Sequence, residues 1–497
     1  METITITGAA LSIEDLLAVV DGAPLALGSE SRAKIEASHA VIEAALAGRE
    51  PIYGLTTQVG HGKDELLTEE QLGQQQRMLV MTHSGGLGAP LPSAIVRAAL
   101  TARLNGIARG GSGASMAAAD VLLAMVNAGV HPLVPETASV GAGDIGQMAG
   151  MAQVAIGVGR AEYRGEALPG GEAMARAGIP PLELRAKDGL ALISANAVSI
   201  GHGALVVDRA ARVAEIADVA AALSMEATGS NLSIIESVVA EAKPFPGQIA
   251  AASHLRKVLL GSYLFGPDVA RSVQDALSFR VVPQVHGALR EFIAFCHRAV
   301  EIELNSASDN PLVSVESRTV LSNGNFQPVV LAVAFDALRV VIAHVGQLSE
   351  RRLSHLWDAI FKQMAVAGRP TGAEPQALFG LQLRYPAAAA FSELKQLAAP
   401  ATLDTPPLDM SVEDHGTAAP LGVRKSERAL ELLEDLLAVE RMLAHDLLSV
   451  LPSKPVLGAG TSRALREVED AIAASEPYPE DVHRALRAGL RCRARSR

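Results

Sequence analysis

Three alanine- and leucine-rich stretches, Ala195–Leu223, Pro328–Leu356 and Val423–Leu451, carry apolar residues at helical spacing. Each runs past the roughly 25 residues beyond which an uncapped helical pattern signals a bundle whose members pack side by side. Shorter stretches of the same kind occupy Leu67–Met81, Ile95–Arg109, Met116–Val126, Gln147–Val158, Gln248–Leu260, Val285–Glu303 and Ala387–Ala398. With 49% hydrophobic but only 3% aromatic residues, the chain is better supplied for close helix packing than for a β-sandwich. The expected class is mainly α, a long-helix bundle with a small N-terminal α/β portion. Residues 1–200 are expected to form an N-terminal domain, and residues 201–497 the central bundle and C-terminal helices.

Charge and cysteine usage exclude several functions. The balance of 43 basic against 54 acidic residues gives a net charge of −11, with no basic stripe interleaved with aromatics, so neither nucleic acid nor an anionic membrane is an expected partner. The one basic cluster, Arg484 to Arg497, reads as a solvated, fraying terminus. Cys296 and Cys492 are too few for a disulfide framework and wrongly spaced for zinc, so no metal is expected. Met1–Thr7 lacks the basic and apolar regions of a signal peptide, and no apolar run reaches the roughly 20 residues of a membrane span. These observations predict a soluble cytoplasmic protein.

One glycine-rich stretch invites a ligand. Within Ala138–Gly150, Gly141-Ala142-Gly143-Asp144-Ile145-Gly146 fits the G-x-G-x-x-G turn that cradles a pyrophosphate at a helix N-terminus. That reading needs a buried strand just before it, and Val130–Thr137 contains two prolines that remove ladder donors. The dinucleotide reading fails there. Elsewhere, helix starts are unusually polar: Asn305–Leu312, Ser322–Phe326, Gln274–Arg280 and Ser411–His415, together with the turn-rich loop Tyr53–Gly60. Singly these are caps and Asx-turns; together they look like a site.

In this order, over nearly the whole chain, these segments resemble the histidine and aromatic amino-acid ammonia-lyase family. The family's Tyr-Gly-x-x-Thr-Gly-Phe-Gly loop is matched by Tyr53–Gly60, its Ser-His by Thr82-His83, its Asn-x-x-Ser/Thr-Asp-Asn-Pro-Leu by Asn305–Leu312, its Gly-Gly-Asn-Phe by Asn323–Phe326, and its Gln-Glu-Asp-His by Val412–His415. The resemblance implies the fumarase/aspartase-like fold, a homotetramer of long central helices with each active site assembled from three subunits.

The glycine stretch aligns with the family's Ser-Val-Gly-Ala-Ser-Gly-Asp, whose Ala-Ser-Gly cyclises and dehydrates into an electrophilic methylidene-imidazolone. Here Ser139-Val-Gly141-Ala142-Gly143-Asp144 is one residue shorter, and the missing residue is the serine. No cofactor is therefore expected. Two further departures lie where the family contacts that group: Ser194 replaces an asparagine in Ile193-Ser-Ala-Asn196-Ala, and Leu277 replaces a tyrosine in Leu277-Ser-Phe-Arg280. An amine leaves poorly and needs the electrophile; a quaternary trimethylammonium does not. The resemblance thus narrows to a cofactor-independent branch that releases trimethylamine from a histidine betaine, ergothioneine or hercynine.

By motif match, Tyr53 is the expected base, and helix N-termini and a nearby cation must depress its pKa from near 10. Glu413 and His83 match positions that hold an imidazole. Arg280 and Asn310 match carboxylate donors. Ser194, Asn196, Phe326, Gln382 and Arg384 complete the expected pocket, Arg384 being equally readable as part of a solvated face. Two alternatives stay open: an ammonia-lyase with an altered cofactor loop, and a non-catalytic helical binding protein.

Overall fold

The structure, a computed structural model, describes residues 1–48, 50–366 and 378–492. It is mainly helical, and the short strands all fall in one of two compact units. The first unit comprises residues 1–207, 296–335 and 400–424, and the second residues 208–295, 336–399 and 425–497.

The first unit is built around the helix Ser93–Ala108, buried continuously from Ile95 to Ala108. Such a helix must satisfy its polar side chains internally. Arg103 does so by a fully buried ion pair with Asp309 at 2.7 Å, and Asn105 by donating to the Leu304 carbonyl at 2.9 Å. Around it lie four small sheets. Ile4–Ile6 pairs in parallel with Leu25–Leu27; Leu87–Pro90 pairs with Pro135–Thr137, and Leu312–Ser314 with Thr319–Leu321. Val130–Pro132, Arg160–Tyr163 and Glu166–Pro169 form an antiparallel three-stranded sheet. The turn between the last two has Arg164 and Gly165 at φ 54° and 81°, the left-handed pair that a two-residue hairpin requires.

The second unit holds the helices Pro246–Val258 and Arg384–Leu397 and parts of four long ones: Ala197–Thr228 from residue 208 on, Val282–Leu304 up to residue 295, Val329–Val366 from residue 336 on and Ala419–Val450 from residue 425 on. Within it, Glu440 accepts from Arg352 Nε, Ser224 and Ser349 at 2.6–2.7 Å, a fully buried charge with its lone pairs satisfied.

Four expectations need correction. The chain is not divided by one cut near residue 200, because Asp309, Val313 and Thr417 are hydrogen-bonded back to Arg103, Gly111 and Gly141 and carry their segments into the first unit. The prolines of Val130–Thr137 do not abolish strands; they sit in two short antiparallel edge strands, where a missing donor costs nothing. The C-terminal basic cluster begins inside the helix Pro479–Cys492, whose Val482 and Leu486 are buried with Phe379, Met442 and Val468; residues 493–497 lie outside the described residues. Finally, Asp188–Thr228 and Val329–Val366 are long and apolar enough to cross a membrane by length and composition. Alanine raises their apolar content while allowing close packing, and the apolar window of the first is 94% buried in the protein, that of the second 56%.

Candidate active site

The loop before the helix Ile145–Ala155 closes on itself. Ser139 Oγ donates to the Gly143 carbonyl at 2.6 Å and accepts from Gly141 N at 2.9 Å. The Gly143 N–H donates to the Phe326 carbonyl at 3.2 Å, and Asp144 N to the Ala195 carbonyl at 2.7 Å. From the other side, Thr417 Oγ1 donates to Gly141 O at 2.7 Å and Ala418 N to Val140 O at 2.8 Å. Gly141 has φ +82°, and a Cβ there would lie 2.3 Å from Thr417 Oγ1. These residues do not fit the family's electrophile: no hydroxyl stands between Ala142 and Gly143, and the one nearby, on Ser139, is spent within the loop. Asp144 is fully buried, its carboxylate accepting from Ser199 N (2.7 Å) and Ser199 Oγ (3.0 Å).

Ala142 and Gly143 form one wall of a cavity of about 410 Å³ in the first unit, which also meets Tyr53, Ser194, Asn310, Phe326 and Glu413. Tyr53 is partly buried and its Oη accepts from Gly60 N at 3.1 Å. Burial pushes its pKa up, Glu413 and Asp409 add to the rise, and only the Gly60 hydrogen bond opposes it. This reverses the expectation of a depressed tyrosine, because the charges gathered around Tyr53 from distant sequence are acidic. Glu413 is also raised, by partial desolvation and by Asp409, while His83 pulls it down. His83 caps the helix Glu69–Thr82: its Nδ1 donates to the Leu79 carbonyl at 2.9 Å, which leaves Nε2 as the ring's remaining polar atom.

Asn310 Oδ1 accepts from Asn323 N at 3.0 Å and its own N–H donates to Ser194 Oγ at 3.3 Å, so its amide nitrogen is the group left for a ligand. Asn196 does not reach the cavity lining; it is fully buried, and both its amide atoms lack a hydrogen-bond partner among the described residues. Arg280, Gln382 and Arg384 belong to the second unit. Arg280 ends the short helix Leu277–Arg280 with its guanidinium against the Gln274 side chain. Arg384 is held by Glu350 Oε1 and Ser354 Oγ, both at 2.6 Å, so it is not a solvated face.

Lys63, Asn323, Gln327 and Asp414 also line the cavity and were not singled out in the sequence, although Asn323 and Asp414 lie inside matched motifs. A larger recess, about 1150 Å³, lies between Leu66–Arg77 and Pro181–Ala186 and contains none of the expected site residues.

The fold and this site define an aromatic-lyase architecture, and the chain belongs to the aromatic amino acid lyase family, whose match covers residues 11–470. A histidine ammonia-lyase from Caldanaerobacter subterraneus subsp. tengcongensis is 34% identical over 483 residues, 97% of this chain and 94% of that one. Among solved structures, histidine ammonia-lyase from Trypanosoma cruzi superposes with a TM-score of 0.85 at 28% identity, over 99% of this chain and 95% of that one. Ergothionase from Treponema denticola, in complex with desmethyl-ergothioneine sulfonic acid, superposes with a TM-score of 0.92 over 100% of both chains at 24% identity, a likeness of fold.

Proposed function

We propose that this chain is a cofactor-independent carbon–nitrogen lyase that releases trimethylamine from a histidine betaine, ergothioneine or hercynine. The observation that carries the reading is the closed loop at Ala142-Gly143, which has no serine to dehydrate and whose Gly143 N–H is committed to Phe326. An elimination without that electrophile needs a leaving group that departs unaided. In a betaine, Tyr53 Oη takes the β-proton, the C–H electrons become the C=C bond, and the C–N bond breaks onto nitrogen. Neutral trimethylamine leaves, with thiourocanate or urocanate as the other product.

The acidic surroundings of Tyr53 fit such a substrate. Glu413 and Asp409 raise the tyrosine, which alone would impair a base, but they attract a fixed cation. A trimethylammonium group within about 4–6 Å of the phenol lowers its pKa by roughly 1–3 units. The substrate thus supplies a positive charge that offsets the acidic groups around Tyr53. Glu413 accepts the imidazole N–H, with His83 Nε2 beside it, and the Asn310 amide donates to the carboxylate. Arg280, and with it Gln382 and Arg384, completes the site in a homotetramer in which neighbouring copies share each pocket. Mixing inactive Tyr53→Phe and Arg280→Ala chains should then restore partial activity.

The test is a panel of histidine, tyrosine, phenylalanine, hercynine and ergothioneine, read by ultraviolet absorbance of the conjugated acid and by trimethylamine release. Turnover of a betaine, lost in Tyr53→Phe, is the expected result; no elimination from either betaine sinks the proposal. The histidine ammonia-lyase relative supports a second reading, an ammonia-lyase with an altered loop. An intact mass short by two waters, with histidine as substrate, would establish it.

A further inference from the structure

Tyr53 and Glu413 stand on loops that are far apart in sequence, and one side-chain pair ties those loops together. Gly60, whose N–H donates to Tyr53 Oη, opens the short helical turn Gly60–Gly62. The next residue, His61, grips the carboxylate of Asp409 with both its donors: the backbone N–H reaches Oδ2 at 2.9 Å and Nδ1 reaches Oδ1 at 2.6 Å. The fit at Gly60 is close, since a Cβ there would lie 2.0 Å from Asp409 Oδ2.

On the other side, Asp409 begins a run of three residues in the left-handed region: Asp409, Met410 and Ser411, at φ 47°, 54° and 66°. Such a run without glycine is costly and persists only where its surroundings over-determine it. Here the surroundings are two backbone hydrogen bonds that close the turn, Leu408 N to Glu413 O at 2.8 Å and Glu413 N to Leu408 O at 3.2 Å, and the His61 grip on its first inner residue. The closing residue of this turn is Glu413.

We propose that His61 and Asp409 are positioning residues for the reaction: they clasp the Tyr53 loop to the Glu413 turn and so set the distance between the base and the imidazole acceptor. The inference rests on the roles assigned to those two residues above. The pair is largely solvent-exposed on the His61 side, 63% against 28% for Asp409, so it adds little to global stability. Its effect is on where the two loops sit. Neither side chain touches the reacting atoms; His61 acts through Gly60, and Asp409, besides the charge it sets near Tyr53, acts through the turn.

The experiment uses the full chain in its native assembly and reads two things. First, amide hydrogen exchange is followed in Asp409→Ala across residues 58–63, a loop the substitution does not enter. Exchange there should rise roughly tenfold while the chain outside residues 58–63 and the 408–413 turn, and Tm, stay unchanged; unchanged exchange at 58–63 overturns the clasp whatever the activity. Second, kcat and KM are measured on the betaine turned over. His61→Ala should lose roughly ten- to hundredfold in kcat, the usual consequence of misplacing a catalytic group by about an ångström, with KM within about twofold. His61→Asn, whose amide Nδ2 can donate where Nδ1 does, should recover most of it. The double variant His61→Ala/Asp409→Ala should be no slower than the slower single one. An asparagine variant as slow as the alanine one, or singles that multiply, overturns the proposal. A wild-type chain inactive on every betaine, with the exchange response present, would instead refute the reaction and leave the clasp standing.

Discussion

Replacing Asp144 by asparagine should stabilise the protein at neutral pH and do nothing at acid pH. Asp144 is fully buried, and burial raises its pKa to about 6 from an ordinary 3.8, even though Ser199 and Val198 hydrogen bonds pull it down. Glu303 beside it is raised to about 7, by burial and by the Asp144 charge. A carboxyl whose folded pKa lies above its unfolded value binds its proton more tightly when folded. Its contribution to stability is therefore complete below about pH 4 and is lost as pH rises through about 6. A rise of about two units corresponds to about 3 kcal/mol at 1.36 kcal/mol per unit. Asparagine keeps the geometry: its oxygen accepts the Ser199 N–H now held at 2.7 Å, and its NH2 faces the Ser199 hydroxyl now at 3.0 Å. It never ionises, and it relieves Glu303. For a 497-residue chain, at about 2.1 cal/mol/K of unfolding entropy per residue, 3 kcal/mol is about 3 °C in Tm. Scanning calorimetry of Asp144→Asn and the wild type from pH 4.5 to 8.5, at one protein concentration, should show curves that meet near the acid end and diverge through pH 6, the variant melting higher. Parallel curves, or a variant less stable at pH 8, would refute the assignment of the charge cost to Asp144.

Two further substitutions test the scaffold around the site. Arg103→Met leaves Asp309 buried with neither guanidinium bond, at 2.7 and 3.2 Å, and should cost about 3–5 kcal/mol in urea unfolding. Pairing it with Asp309→Leu should recover part of that loss, and equal losses in single and double variants would deny the ion pair its role. Gly141→Ala forces a side chain into a left-handed residue and against Thr417 Oγ1; strain of about 1–3 kcal/mol and overpacking of about 1–3 kcal/mol should add, and an unchanged Tm would show that the loop yields.

What was legible in the sequence follows the range of the interactions concerned. Helical periodicity is local, and with one exception the ends of the three long helices fall within about five residues of those expected. The helix expected from Leu67 starts at Glu69 because Thr68 and Gln71 form a capping box, and the one expected to stop at Leu356 runs on to Val366. Ser29–Gly48 is not among the stretches that periodicity marks, and its buried face carries Ser31, Ser38 and His39 among the apolar residues. Contacts that arrange the site are of another kind: Arg103 and Asp309 are 206 residues apart, and His61 and Asp409 are 348 apart. No local pattern announces either pair. The electrostatics of Tyr53 were misjudged for the same reason, since the general requirement for a base implied a neighbouring cation and the fold brings Glu413 and Asp409 instead.

The shortened loop and the acidic groups around Tyr53 are independent observations, and both support the proposed betaine substrate. The missing serine was visible as an absence against the family motif, and the structure adds that the gap is closed: Ser139, Gly143, Phe326 and Thr417 hold the shortened loop in place. A primary ammonium substrate would meet a site with no group to improve its leaving ability. It would also give up its own charge on losing a proton to a Tyr53 phenolate, a base of comparable strength. A quaternary ammonium has no proton to lose, so its charge persists beside Glu413, Asp409 and Tyr53 until the C–N bond breaks. In the proposed reaction, cleavage removes that charge as trimethylamine departs, and Tyr53, now carrying the β-proton, is left neutral beside Glu413 and Asp409, the state their field favours. The acidic surroundings that hinder Tyr53 before substrate binds thus favour the products once the bond is broken.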